Sequence, residues 1–237
     1  MISSFSRFGD RAPMTSLTVT EKEEISYFGG LDLGQTNDPT TFAVLKRTRF
    51  LICDAVRQGK VAEWRDKKPP IFQVGYLERV PLGTTYPAIV AHVARLMARP
   101  IWAGNITLAL DKTGVGAPVA DLFKSAGIAF AAVTITGGDT ETNDGNDWRV
   151  PKLVLISRLQ ALLHEGRLHI HDELSDAQDL VRELQDFRVN FTAAGHMTFG
   201  AREGKHDDLV LALAIAAWRA NKLIRSSRFI PFSIMER

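Results

Sequence analysis

The sequence predicts an α/β fold: a mixed central sheet that starts as three antiparallel strands, continues with parallel ones, and carries helices on both faces. Three observations lead there. Apolar runs separated mainly by turn-forming residues crowd the stretch from Ile25 to Val80, the mark of consecutive strands. Beyond Asn105, short apolar runs alternate with segments of helical spacing that take proline near their start and glycine after their end, as β-α-β units do. The closing segment Leu209–Trp218 holds no charge, so a helix there is apolar on every side and lies buried in a core.

In chain order, residues 1–23 read as a polar arm ending in EKEE, ahead of one domain over 24–221 and a basic tail over 222–237. Ile25–Leu33 is the first expected strand, interrupted by Gly29 and Gly30, and the turn-rich GQTNDP joins it to a second over Thr40–Thr48. A third strand follows the Pro69-Pro70 break in IFQVGYLERV, and Tyr86–Arg99 then has helical spacing with Pro87 near its start. NITLALD reads as a buried strand, Gly116–Gly127 as a helix, and Ile128–Thr136 as another buried strand. A loop over Gly137–Val150 leads into a helix over Pro151–Gly166, a short strand in RLHIH and a helix over Ser175–Phe187. A polar hairpin over Arg188–Gly200 precedes the final helix.

A chain of 237 residues with 45% hydrophobic and 24% charged side chains can bury a generous core and is not a disordered composition. Cys53 is the only cysteine, which excludes a disulfide framework and any multi-thiolate zinc or iron–sulfur site. No apolar run long enough for a membrane span is free of breakers, and MISSFSRFGDRAPMTS lacks the apolar stretch of a secretory signal. A soluble, cytoplasmic protein is expected.

The net charge is only +2, so any nucleic-acid contact has to come from local patches. Arg57, Lys60, Arg65, Lys67 and Lys68 stand against Glu63 and Asp66, a net +3, with Trp64 among them to stack on a base or sugar. Arg219, Lys222, Arg225, Arg228 and Arg237 stand against Glu236, a net +4. Either patch is a DNA contact or simply a solvated surface.

The acids fall at the ends of elements. Asp32 is flanked by Leu31 and Leu33, so alternation turns it to the opposite strand face from both, and Asp111 ends the apolar run ITLAL. Asp207 and Asp208 open the final helix, where a carboxylate also suits the cap and the helix dipole. Asp32 and Asp111 fit turn-capping roles as well. Acids at the tips of three elements, however, are what Mg²⁺ or Mn²⁺ require, since these hard cations take oxygen ligands and need no His or Cys cluster. Two such ions roughly 4 Å apart serve phosphodiester cleavage, one acidifying the attacking water and the other stabilising the departing 3′ oxygen. Adjacent helical residues point about 100° apart, so Asp207 and Asp208 are not expected to serve one ion in the same way.

Four blocks, LDLGQTNDPTTFAVL, LALDKTGVGAPVADLF, TITGG with VPKLVLISRLQALLHEGRLHI, and GKHDDLVLALAIAAW, together resemble the nuclease domain of tailed-phage terminase large subunits. The resemblance runs from Tyr27 to Trp218 with the blocks in the family's order. It implies an RNase H-like fold and a metal-dependent endonuclease cutting double-stranded viral DNA during genome packaging. It also implies that Asp32, Asp111 and Asp207 or Asp208 hold the two Mg²⁺ or Mn²⁺ ions. The implied partners are a packaging ATPase domain, the small terminase subunit and the portal, and the implied setting is the host cytoplasm. No G-x-x-x-x-G-K-[ST] phosphate loop occurs in the chain, so the packaging motor is expected on a separate domain or protein.

Three further residues are candidate auxiliaries. Thr113 either assists the site or satisfies a backbone group in the glycine-bearing turn, Lys152 either approaches the scissile phosphate or is a solvated first-turn lysine, and His206 is a proton shuttle or a local hydrogen-bonder. LDLGQTND also resembles the phosphate turn of actin- and sugar-kinase-type ATPases, yet 237 residues are short for two such domains. A Holliday-junction resolvase or cellular RNase H would use the same acids, and the TGG, VPK and HDD blocks favour the terminase type over both.

Overall fold

The computed structural model describes residues 18–34, 38–55, 64–114, 116–186, 188–191, 197–200 and 207–226. Three long strands, β1 (Thr18–Asp32), β2 (Thr41–Ala55) and β3 (Trp64–Arg79), form the expected antiparallel start. Two more, β4 (Ile106–Asp111) and β5 (Phe130–Thr136), continue it in parallel, β4 beside β1 and β5 beside β4.

The strands are longer than the apolar runs. β1 begins at Thr18, inside the stretch expected as an arm, β2 runs on to Ala55, and β3 takes in Trp64–Lys68. Here β1 exposes residues 19–23 and β3 exposes residues 64–69, so neither of these stretches carries a buried alternating face, while β2 between them buries Leu51 and Cys53. Ion pairs also cross the strands in this outer part, Arg49 with Glu24 and Asp66 and Lys67 with Glu21. The Pro69-Pro70 pair, which lacks two ladder donors, sits where the β2–β3 register shifts between Thr48 and Phe50.

The stretch expected as a loop over Gly137–Val150 contributes β6 (Thr142–Asp144) and most of β7 (Asp147–Pro151). β7 lies parallel to β5, and β6 forms the sheet edge as an exposed antiparallel strand too short to show a period. With β8 (Leu168–His169) beside β3, the eight-stranded order is β6-β7-β5-β4-β1-β2-β3-β8. The expected polar hairpin is β9 (Arg188–Phe191) paired with β10 (Met197–Gly200) as a separate sheet.

Helices cover both faces. Packed on one are α1 (Tyr86–Met97) and α2 (Gly116–Ser125), through Ile89, Val93, Val119 and Phe123 against Leu31, Phe42 and Leu110. The other face receives α3 (Lys152–His164), α4 (Ala177–Asp186) and α5 (Asp208–Ser226) over Phe28, Ala43, Leu45 and Ala109. As its lack of charge predicts, α5 is buried from Asp208 to Trp218. Each of Leu213, Ile215 and Trp218, fully buried there, contributes about 2 kcal/mol. The helix continues to Ser226, with Lys222 paired to Glu141 and lying over the face of Trp148. Among the described residues no helix is long and apolar enough to cross a membrane.

Gly30 sets how closely α5 approaches the sheet. A Cβ there would lie 2.0 Å from the Ala212 carbonyl oxygen and 2.7 Å from the Ala216 nitrogen, both backbone atoms of α5 that cannot yield. Only glycine lets the helix rest on β1 two residues before Asp32.

Candidate active site

Asp32 is the last residue of β1 and Asp111 the last of β4. The parallel register pairs Leu31 with Leu110, so the two aspartates end neighbouring strands about 4.8 Å apart in the sheet. Asp32 also pairs with Thr41, and Thr41 with Arg79. A row of Asp111, Asp32, Thr41 and Arg79 therefore crosses four strands on one face. That face is the one occupied by α5, because Gly30 and Ala109, two residues back along their strands, lie beneath the helix.

The start of α5 closes the cluster. Buried Asp208 is its first residue, and Asp207 precedes it, with the Leu211 N–H donating to the Asp207 carbonyl at 2.9 Å. Lys152 Nζ, on the first residue of α3, lies 2.8 Å from Asp207 Oδ2. Asp32 is pushed well above the ordinary carboxylate range, first by desolvation and then by Asp111, Asp208 and Asp207, with Lys152 opposing. Asp32 as a residue is partly buried. Asp111 is raised by burial too, against the lowering effect of hydrogen bonds from Thr113 and of the Lys152 charge.

Thr113 has a clear part in this arrangement. Its N–H donates to Asp111 Oδ1 at 2.7 Å, and its hydroxyl accepts from the Ile135 N–H at 2.8 Å, so it pins the Asp111 turn to β5. The four acids and Lys152 thus come together, while His206 lies outside the described residues.

The basic segment is remote from them. Trp64 pairs with Cys53, which pairs with Thr20, and the strand rise places that position roughly 40 Å along β1 from Asp32. Trp64 is exposed with Lys22 over its ring, Lys67 is paired with Glu21, and Lys68 lies over Phe50. Arg65 stands in the same strand, and Arg57 and Lys60 lie outside the described residues.

Glu183 is a residue of this region that the sequence pattern leaves unmarked. It shares a buried stripe of α4 with Ala177 and Leu180, and its carboxylate accepts from the Val210 N–H at 3.1 Å while pairing with Arg79. A glutamate in line with an apolar helix stripe is the one signal that could have flagged it.

An all-oxygen donor set fits a hard divalent cation better than a soft metal. The buried Thr41 hydroxyl beside Asp32 adds an oxygen with no hydrogen-bond partner among the described residues. Mutual repulsion among the carboxylates is what a bound cation would relieve. Among the described residues, however, no three acidic, His or Cys side chains already form a coordination cage.

The chain is similar to known proteins over most of its length. A terminase large subunit of Thermus virus P23-45 is 25% identical over 191 residues, which cover 80% of this chain and 31% of that protein. The chain thus spans about a third of the length of this curated relative. The large terminase nuclease from thermophilic phage G20c superposes with a TM-score of 0.57 at 22% identity, covering 83% of each chain. The chain shares the fold of that phage nuclease. A structure of the same phage nuclease with bound magnesium superposes on this fold with a TM-score of 0.56 at 24% identity, covering 83% of this chain and 82% of that one. No family model matches the chain.

Proposed function

We propose that this terminase-type domain is a metal-dependent endonuclease that cuts double-stranded viral DNA during genome packaging. The observation that carries the reading is the convergence of Asp32, Asp111, Asp207 and Asp208, from three elements, on one end of the sheet. The magnesium-bound phage nuclease of the same fold supports it.

Asp32, Asp111 and one or both of Asp207 and Asp208 would hold two divalent cations, Mg²⁺ or Mn²⁺. When bound, such ions make a water more acidic and offset the charge that develops on the leaving 3′ oxygen. The chain's own residues prepare that chemistry. Thr113 fixes the Asp111 carboxylate, the Gly30 contact fixes the height of α5 over Asp32, and Lys152 balances part of the negative charge. Phosphate contacts position a duplex without reading its sequence, so low sequence specificity follows. Trp64, Arg65, Lys67 and Lys68 would meet a duplex about one helical turn from the cut, and Arg57 and Lys60 are proposed from the sequence as further DNA contacts. A packaging ATPase domain, the small terminase subunit and the portal are the proposed partners.

The test is conversion of supercoiled plasmid to nicked and linear forms in Mn²⁺, Mg²⁺ or EDTA, by the wild-type chain and by Asp111→Ala. Cleavage that needs both the metal and Asp111, with Asp111→Ala still folded, is the expected result. Equal cleavage by the variant, or cleavage in EDTA, overturns the reading.

A further inference from the structure

A helix leaves its first four N–H groups without intrahelical acceptors, and the side chain of the N-cap residue ordinarily takes the second or third of them. In α5 the N-cap is Asp207, the residue ahead of Asp208, and Val210 occupies the third position. The acceptor for the Val210 N–H, however, comes from another helix: it is Glu183 Oε2 of α4, at 3.1 Å. The Asp207 carboxylate is turned to Lys152 instead.

Glu183 is itself held. Its other carboxylate oxygen is paired with Arg79, and Arg79 also lies 3.3 Å from Asp179 Oδ2 and 3.9 Å from Asp176 Oδ1. Arg79 ends β3 in the same cross-strand row as Asp32. A continuous chain of contacts therefore runs from the sheet row through Arg79 and Glu183 to the first turn of α5. Burying a carboxylate there is costly, since desolvation raises Glu183 to about 7 despite the Val210 hydrogen bond and the Arg79 charge. An apolar residue in line with Ala177 and Leu180 would avoid that cost, which leaves the geometry of α5 as the compensating gain.

We propose that Glu183 is a positioning residue that caps α5 from outside the helix, leaving the Asp207 carboxylate to face Lys152 in the acid cluster instead of capping its own helix. Arg79 ties this cap to the strand row that carries Asp32. The inference rests on the nuclease reading of the acid cluster and names a residue on which the placement of half of that cluster depends.

Two readouts test it besides activity. Glu183→Met keeps the length and volume but removes the acceptor, Glu183→Asp keeps the charge but falls short of Val210, and Glu183→Gln retains a carbonyl acceptor. Hydrogen exchange of the Val210 amide in the metal-free chain is expected to quicken roughly fivefold in the Met and Asp variants, the size of a lost helix cap. The Mn²⁺ concentration that half-saturates the chain, read from the free Mn²⁺ spin-resonance signal, should rise by a similar factor. Glu183→Gln should bring both back toward wild type. Wild-type exchange at Val210, or wild-type Mn²⁺ half-saturation, in a folded Met or Asp variant overturns the proposal. Plasmid cleavage by the wild-type chain is run alongside: its absence overturns the nuclease reading, while exchange and Mn²⁺ titration still decide the role of Glu183.

Discussion

Lys152 Nζ donates to Asp207 Oδ2 at 2.8 Å, joining the first turn of α3 to the residue ahead of α5 across the acid cluster. With both side chains about three-quarters buried, the pair is worth more than a surface bridge. In EDTA, Lys152→Met is expected to destabilise the domain by about 1–2 kcal/mol, a drop of roughly 2–8 °C in Tm. Saturating Mn²⁺ should shrink the deficit, because a bound cation replaces the charge that the ammonium supplied. Thermal melts in both conditions check this, and an identical deficit in each would exclude charge compensation.

Gly30 and Gly29 are adjacent but unequal. Gly30→Ala drives a methyl into the α5 backbone, and the expected loss is about 3 kcal/mol or more. Gly29→Ala meets the ends of the Phe42 and Leu108 side chains at 3.0–3.2 Å, which can shift, so about 1 kcal/mol is expected. Urea unfolding of the two variants measures the contrast. Equal losses would mean that α5 does not rest on Gly30.

Glu183 is expected to contribute to the pH dependence of the metal-free domain, beside Asp32 and Asp111, whose carboxyls burial also raises. Burial, outweighing the Val210 and Arg79 contacts and reinforced by Asp208, raises the Glu183 carboxyl from 4.5 to about 7. Between those values the native state binds a proton that the unfolded chain has released, so the slope of stability against pH is negative. The favourable contribution is fully present below 4.5 and disappears as pH rises through about 7. Melts in EDTA across this window should show Tm falling for the wild type and falling less for Glu183→Gln. A parallel profile in the variant would remove Glu183 as a source.

What could be read from the sequence was what burial on a regular face imprints. Asp32 between Leu31 and Leu33 was placed correctly by strand alternation, and the charge-free run from Leu209 to Trp218 announced a helix buried on every side. The outer parts of β1 and β3 escaped because residues 19–23 and 64–69 face water and bury no alternating face. The strand β6 escaped because its three residues are all exposed. In the site, the aspartates stood out as charges at the tips of apolar runs. Glu183 did not, because its meaning depends on Arg79, 104 positions away, and on the Val210 N–H, 27 positions away. Asp207 and Asp208 at a helix start also read as caps, whereas in the fold the Val210 N–H is capped by Glu183.

The measurement that bears most directly on the central claim is an anomalous-scattering map from crystals of this domain grown with Mn²⁺. The expected result is a Mn²⁺ peak in contact with Asp32 and Asp111, with Asp207 or Asp208 as a further ligand. Mn²⁺ bound only elsewhere, or no peak at these carboxylates under conditions that support plasmid cleavage, would contradict it.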